Sequence, residues 1–196
     1  MIEPVQLWPS LIFKAHCPLD LSEVIQFCRT KLDDTSLHGL EKNGGKTTFN
    51  TANDLIFNST CDTMRQWLTV VANEVWHQWN FANDIPRFIH RSWVNLHPPG
   101  AYTDEHDHGQ CHQTIVIYLK QPVNGGNIMF RDPLQYTFSG YPKIDRNEWK
   151  TVEVNQNDVL FFPGFLHHMT EKNHSHEDRL VMTVTISVDI FKNKQL

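Results

Sequence analysis

The hydrophobic pattern of the chain changes from helical to extended near residue 85. Before this point, residues 19–33 and 60–81 carry apolar side chains at helical intervals, which predicts two amphipathic helices. Ser59 or Thr60 is expected to cap the second helix. After this point, short apolar segments rich in β-branched and aromatic residues are typical of strands. Strands are predicted over residues 88–96, 114–119, 126–130, 149–154, 158–162 and 180–188.

Short strands separated by turns indicate a mainly β fold, either a sandwich or a barrel. We expect one domain over residues 1–196, with a helical support region in 1–85 and the β core in 86–196, because 196 residues suit a single core. Weaker strand signals lie in residues 2–15, interrupted at Pro9, and near residues 46–49.

Composition narrows the class of protein. A hydrophobic fraction of 40% and six tryptophans predict a packed globule, and a net charge of −5 shows no nucleic-acid footprint. The four cysteines form no CxxC motif, which favours reduced thiols and a cytoplasmic location. The N-terminus does not resemble a signal peptide, and no apolar run reaches the length of a membrane span. Aromatic residues near the N-terminus would permit a homodimer.

Histidines in two places suggest a metal site. In an extended chain, residues i and i+2 share a face, so His106 and His108 would lie together while Asp107 points the other way. A distant third imidazole is available from His167 or His168, which follow an apolar strand and a Pro-Gly turn. This set suits Fe, Zn, Cu or Ni, because imidazole alone does not choose among these metals.

Further motifs occur in a fixed order around these histidines. They are Trp93 and Asn95, Tyr118 and Leu119, the glycine-containing segment 125–133, the sequence FPGFLHH at 162–168, and Arg179. In this order they resemble the 2-oxoglutarate and Fe(II)-dependent oxygenases, and more closely a bacterial and phage group with an H-x-H, H and R pattern. The resemblance covers roughly residues 88–190. It implies a double-stranded β-helix, or cupin-like jelly roll, with helices packed on one outer face.

The resemblance also implies Fe(II) and 2-oxoglutarate as cofactors. It makes His106 an iron ligand and prefers His168 over His167, because the motif places one residue between Leu166 and the ligand. It assigns Arg179 to the C5 carboxylate of 2-oxoglutarate. The chemistry agrees, because a guanidinium is always charged and can bind a carboxylate in a bidentate manner.

The second ligand position departs from the wider superfamily, which places a carboxylate there. In this chain the position is His108, so two arrangements are open. All three histidines bind iron, or only His106 and His168 do, with water in the third place. His112 is expected to donate to a ligand or to contact the substrate, because as a fourth ligand it would block catalysis. Asp104, Glu105 and Asp107 either orient the ligand imidazoles or form a solvated acidic turn.

Three other polar residues are candidates for contact with 2-oxoglutarate, namely Asn95, Tyr102 and Tyr118. The implied activity consumes 2-oxoglutarate and dioxygen, releases succinate and carbon dioxide, and hydroxylates a substrate that the sequence does not identify. The loops 34–58 and 134–148 are expected to border the site.

Two alternatives compete with this function. One is a three-histidine cupin-like metalloenzyme that uses no 2-oxoglutarate, such as a thiol dioxygenase or a zinc hydrolase. Arg179, which follows His168 by eleven residues, argues against it. The other is a non-catalytic metal-binding module on the same scaffold. Metal content together with turnover of 2-oxoglutarate separates all three.

Overall fold

The computed structural model describes residues 12–33, 43–81, 84–109, 111–134 and 148–188. Two α-helices lie within these ranges, α1 (Ser22–Asp33) and α2 (Asp62–Gln78). The strands are β1 (Phe13–His16), β2 (Lys46–Thr47), β3 (Arg87–His97), β4 (Gln113–Lys120), β5 (Ile128–Arg131), β6 (Trp149–Val152), β7 (Asp158–Phe162), β8 (His168–Thr170) and β9 (Arg179–Val188). The expected loop over 134–148 falls largely outside the described residues, as do parts of 2–15 and 34–58.

Both predicted helices are confirmed, but the predicted cap of α2 is wrong. Ser59 and Thr60 lie in a short 3-10 turn before the helix, and α2 begins without a side-chain cap. The turn itself is capped by Asn58, whose side-chain oxygen accepts a hydrogen bond from the Thr60 N–H at 3.0 Å. Neither described helix combines the length and hydrophobicity that a membrane span requires.

The strands form two antiparallel sheets. Six strands pair in the order β1-β7-β4-β9-β3-β2, and the other three pair in the order β6-β5-β8. This arrangement agrees with the predicted mainly β jelly roll. Because β1 and β2 belong to the larger sheet, the chain before residue 86 supplies strands as well as helices. All six predicted core strands are present, and the short β8 was not predicted.

The larger sheet has two apolar faces with different neighbours. Alternate side chains of a strand point to opposite faces, so Ile115 and Met182 pack with α1 and α2 in one core. Val116 and Val181 pack in a second core with Phe130 of the smaller sheet. We call these the helix-facing face and the inner face. The candidate metal ligands belong to the inner side.

Candidate metal centre

The structure brings His106, His108 and His168 together. One ring nitrogen of each lies within 4.8 Å of the others. The ring centroids of His106 and His168 are 4.3 Å apart, and the His108 centroid is 5.1 Å from that of His106. Since His168 is 4% exposed, the cluster lies inside the fold.

Backbone hydrogen bonds set the spacing of these ligands. His106 and His168 form an isolated antiparallel bridge, with reciprocal N–H to carbonyl distances of 3.0 and 2.9 Å. The N–H of His108 donates to the Gly164 carbonyl at 2.8 Å. The chain passes so close here that a Cβ on Gly164 would lie 2.0 Å from the carbonyl oxygen of Cys111. A glycine is therefore required beside the metal ligands.

The hydrogen bonds also decide which ring nitrogens can bind a metal. The Nδ1–H of His106 donates to the Asp104 carbonyl and that of His168 to the Leu166 carbonyl, both at 2.9 Å. Because a carbonyl only accepts, each Nε2 keeps its lone pair. The Nε2 of His108 is buried and has no hydrogen-bond partner among the described residues. An unpartnered buried nitrogen is unfavourable, and a metal ion at this point would satisfy it.

Burial also keeps the three imidazoles uncharged. Desolvation, together with the neighbouring His106, lowers the pKa of His108 to about 4. Desolvation lowers the pKa of His168 well below its usual value, and that of His106 less, because the Asp104 carbonyl and Asp107 oppose the effect. Neutral imidazoles are the form that binds metals, so the site is competent at neutral pH.

Residues next to the candidate ligands in sequence form a separate, partly exposed cluster. His167 Nδ1 is hydrogen-bonded to the Glu105 carboxylate at 3.1 Å, and its Nε2 lies 3.1 Å from the Asp107 carboxylate. Arg131 donates to the same Glu105 carboxylate at 2.8 Å. Asp107 was expected near the ligands as a group that orients their imidazoles. Its carboxylate lies 3.1 Å from His167 Nε2, and the backbone carbonyl of Asp104 orients His106.

Arg179 is fully buried at the start of β9 and is held mostly by backbone carbonyls. Its Nη1 donates to Gly125, Gly126 and Glu171 carbonyls at 2.8, 3.1 and 3.3 Å. Desolvation lowers its pKa to about 10, so the guanidinium remains charged at neutral pH. Bidentate binding of a carboxylate uses either both terminal nitrogens or Nε with Nη2, but Nη1 already donates to carbonyls and Nε to His97.

The other terminal nitrogen of Arg179, Nη2, contacts a threonine. Nη2 donates to the Thr170 hydroxyl oxygen at 2.8 Å, and the same oxygen accepts the N–H of Thr103 at 2.9 Å. With its oxygen accepting twice, the Thr170 hydroxyl still has a proton to donate. One Nη2 hydrogen of Arg179 also remains. Thr170 follows His168 by two residues in β8, so both side chains lie on the same face of the strand.

A neutral histidine accepts a hydrogen bond from the third nitrogen of Arg179. The Nε–H of Arg179 donates to His97 Nδ1 at 3.4 Å, so the other nitrogen of this imidazole carries the proton. That Nε2–H donates to the Thr103 hydroxyl at 2.7 Å. Desolvation and the nearby guanidinium both lower the pKa of His97 well below its usual value.

Two of the predicted cosubstrate contacts lie on the inner face. Tyr118 is fully buried near Arg179, and burial raises the pKa of its phenol despite the opposing effect of that cation. The side-chain oxygen of Asn95 accepts a hydrogen bond from the Thr47 hydroxyl at 2.6 Å. Asn95 is therefore already paired with β2.

The other two predicted site residues lie elsewhere. The Tyr102 ring is covered by Lys172, whose Nζ is 5.5 Å from the ring centroid. His112 is exposed, and its Nδ1 accepts the Val188 N–H at 3.4 Å. The structure does not bring His112 into the cluster of three imidazoles.

Sequence reasoning missed Thr170, His97 and Thr103, which complete the surroundings of Arg179. For Thr170 a signal exists, since it stands two residues after His168, but β8 is too short to show a strand pattern. His97 similarly follows Asn95 by two residues along β3. Their partners come from distant segments, which periodicity does not reveal.

The fold and the three-imidazole site define a jelly-roll metalloenzyme, and comparisons with known proteins identify its family. Residues 91–187 match the family described as "Putative 2OG-Fe(II) oxygenase". The chain belongs to the 2-oxoglutarate and Fe(II)-dependent oxygenase superfamily, as the resemblance of its motifs predicted. It is a dioxygenase that uses Fe(II) and 2-oxoglutarate, and its primary substrate is unknown. No curated protein sequence matches the chain.

Solved structures show the same fold at low sequence identity. A prolyl-4-hydroxylase from Pseudomonas putida is 14% identical, with 91% of this chain and 93% of that chain covered and a TM-score of 0.61. The non-heme alpha ketoglutarate dependent carbocyclase SnoK from nogalamycin biosynthesis is 16% identical, with coverages of 92% and 80% and a TM-score of 0.64. HygX from Streptomyces hygroscopicus, with nickel, 2-oxoglutarate and hygromycin B bound, is 12% identical, with coverages of 93% and 84% and a TM-score of 0.59. The predicted jelly roll is thereby confirmed.

Proposed function

We propose that His106, His108 and His168 hold the Fe(II), and that Arg179 and Thr170 hold the far carboxylate of 2-oxoglutarate for hydroxylation of a substrate. The observation that carries this assignment is the convergence of three neutral imidazoles within 4.8 Å. The buried and unpartnered Nε2 of His108 supports a set of three ligands over a set of two. The sequence had left this choice open.

The chemistry of the ligand set suits an anionic cosubstrate. Three imidazoles supply no negative charge, so the protein leaves the charge of a divalent ion uncompensated. A chelating dianion such as 2-oxoglutarate compensates it. When bound, iron and 2-oxoglutarate activate dioxygen, and one oxygen atom enters succinate, released with carbon dioxide, while the other enters the substrate.

The chain's own residues orient 2-oxoglutarate. His168 and Thr170 share one face of β8 and lie about 7 Å apart along the strand. A five-carbon dicarboxylate can span this distance from the metal to the second site. There its C5 carboxylate would accept the Thr170 hydroxyl proton and the remaining Nη2–H of Arg179. Both donors are pre-positioned, because Thr103 and the backbone carbonyls hold them before the cosubstrate arrives.

The test is anaerobic reconstitution with Fe(II) followed by titration with 2-oxoglutarate, monitored through a visible charge-transfer band. We expect a saturable band near one equivalent of cosubstrate, and succinate after dioxygen is admitted. Bound iron without a band or succinate would favour a cupin-like metalloenzyme. Failure to bind metal would favour a binding module and would contradict the ligand assignment.

The structural neighbours do not identify the primary substrate of this chain, so it has to be inferred from this chain's own residues. The neighbours are named for different reactions, a prolyl hydroxylation in one case and a carbocyclisation in another. The cytoplasmic location and the homodimer expected from the sequence stay predictions.

A further inference from the structure

A row of inner-face residues crosses the larger sheet beside the metal ligands. By strand register, Arg91 of β3 pairs with Thr185 of β9, Thr185 with Thr114 of β4, and Thr114 with Phe162 of β7. Alternation places all four side chains on the inner face, since their strand neighbours face the helices. We call this set the Arg91 row.

The polar groups of the Arg91 row lack partners. Thr114 and Thr185 are 0% and 1% exposed, and neither hydroxyl has a hydrogen-bond partner in the described structure. Buried hydroxyls are nearly always bonded in proteins, so two adjacent exceptions call for an explanation. Arg91 forms no ion pair with a described residue, and its guanidinium lies 5.4 Å from the centroid of the Phe49 ring.

Aromatic contacts connect the Arg91 row to the metal ligands. The Phe162 ring centroid lies 4.8 Å from that of His168. Trp93, the next inner-face residue after Arg91 on β3, lies 5.5 Å from His108 by ring centroids. The Phe49 ring, which lies under the Arg91 guanidinium, contacts Trp93 at a centroid distance of 5.0 Å.

The Arg91 row is separate from the proposed 2-oxoglutarate site. Arg179 and Thr185 lie on the same face of β9 but six positions apart, which corresponds to about 20 Å along a strand. Thr170, which follows His168 by two residues in β8, accepts a hydrogen bond from Arg179 Nη2. A ligand group at the Arg91 row would therefore reach the metal from the opposite direction to the cosubstrate.

The chemistry of the row identifies what it would bind. One cation and two hydroxyl groups can each donate a hydrogen bond. Neither hydroxyl has an acceptor among the described residues. An oxyanion offers several acceptor atoms and a compensating charge. The rings of Phe49 and Trp93 supply an apolar wall for the rest of such a ligand.

We propose that the Arg91 row binds a carboxylate or phosphate group of the primary substrate, so that the enzyme oxidises an anionic molecule. The substrate role rests on the proposed function, because that function places the oxidising metal beside the row. Binding of an oxyanion by the row depends only on the residues described above, and it can be measured without metal.

Binding of inorganic phosphate to the metal-free protein, followed by phosphorus NMR line broadening, tests the row. We expect Arg91→Gln to weaken phosphate binding by about tenfold or more, the effect of one charge-assisted hydrogen bond. The double variant Thr114→Val with Thr185→Val should weaken it by about threefold to tenfold. Acetate competes for phosphate if the row accepts carboxylates, and the relative affinities rank the two anions.

Arg87→Gln is the matched control, since Arg87 lies on the same strand but stacks on Trp76 of α2 at 4.8 Å. Its phosphate binding should equal that of the wild type. The proposal is overturned if the wild type binds neither anion, if Arg91→Gln binds phosphate normally, or if Arg87→Gln loses as much. Should the double variant fail to fold, judged by its melting curve, Arg91→Gln alone decides.

A second measurement separates this proposal from the proposed function. Wild type and Arg91→Gln should give the same Fe(II) and 2-oxoglutarate charge-transfer band, because the row is remote from Arg179. A lost band in Arg91→Gln alone would assign Arg91 to the cosubstrate site and overturn the proposal. A missing band in the wild type would reject the proposed function, while phosphate binding would still report on the row.

Discussion

The two ends of the inner face differ in how the protein treats its polar groups. At the Arg179 end, a buried guanidinium, a histidine and two threonines are bonded to one another and to backbone carbonyls. At the metal end, His108 Nε2 and the hydroxyls of Thr114 and Thr185 are buried and have no partner in the described part of the chain. Unsatisfied buried groups cost stability, so the difference indicates where the fold sacrifices stability for ligand binding.

The hydrogen bonds at the Arg179 end also show how one arginine can stabilise the fold and, as we propose, bind the cosubstrate. Its carbonyl contacts fix the guanidinium, and only the Nη2 side next to Thr170 is left for a ligand. At the metal end, by contrast, some buried polar groups have no partner among the described residues. We therefore expect substitutions at the metal end to change binding and those at the Arg179 end to change stability as well.

The largest effect should come from removing a ligand at the metal end. His168→Ala should weaken Fe(II) binding by more than about 100-fold, since the loss of a direct ligand exceeds the usual effect of outer-sphere substitutions. Anaerobic titration with Fe(II) and analysis of bound metal measure this. His167→Ala is the control, because His167 points outward and bonds two carboxylates. Normal iron binding by His168→Ala would refute the assignment.

The packing of the Arg179 end can be broken at Gly126. This residue has φ +83°, and a Cβ would lie 2.6 Å from the Lys172 carbonyl oxygen and 2.9 Å from Arg179 Nη1. Gly126→Ala should therefore reduce the free energy of unfolding by about 2–4 kcal/mol. Urea unfolding of the metal-free protein measures the loss.

Gly100→Ala separates the clash from the backbone effect. Gly100 has φ +86°, but nothing lies within 4 Å of the Cβ position. Only the unfavourable backbone conformation remains, so we expect a loss of about 1 kcal/mol. Equal losses in the two variants would show that the close approach to Arg179 contributes nothing.

Thr170→Val tests the residue that lies between the metal end and the Arg179 end. The variant removes the hydroxyl that accepts a hydrogen bond from Arg179 and that we propose to bind the cosubstrate. We expect about tenfold weaker binding of 2-oxoglutarate, the value of one hydrogen bond to a charged group. Titration of the iron-loaded protein measures it, and Fe(II) affinity serves as the internal control. Unchanged 2-oxoglutarate affinity would restrict Thr170 to a structural role.

The smallest effect should be a pH dependence from His97. Its pKa in the folded protein lies below the value of about 6.5 in the unfolded chain, so the unfolded state binds the extra proton. The contribution to stability is complete above about pH 6.5 and decreases as the pH falls, with a slope of up to about 1.4 kcal/mol per pH unit. Unfolding of metal-free His97→Gln and wild type at several pH values should show a shallower slope in the variant. Equal slopes would mean that His97 is not buried as described.

The strands were predictable where the sequence carries several apolar residues in a row. The segment 114–119 is an example, because both faces of β4 are buried and its side chains are nearly all β-branched or large. The three-residue β8 was not predictable in this way, since a strand so short has no periodicity. Its existence depends on pairing with β5, which is a tertiary contact.

The site was predictable in its residue types and less so in its hydrogen bonds. The His-x-His spacing and the later histidine pair named the three residues that converge in the structure. The partners of Arg179 could not be read from the sequence, because they are backbone carbonyls of distant turns. The lack of partners at Thr114 and Thr185 follows from the register of two strands, which a motif does not specify. His112 is close to the ligands in sequence, but in the structure it is exposed and accepts the Val188 N–H.

The reciprocal backbone bridge between His106 and His168 has a consequence for metal exchange. The backbones of His106 and His168 are fixed relative to each other before any ion binds. His108 is tied elsewhere, because its N–H donates to the Gly164 carbonyl and its carbonyl accepts from the Cys111 N–H. If all three histidines bind iron, as we propose, ions of different radius would be accommodated by movement of His108 relative to the paired histidines.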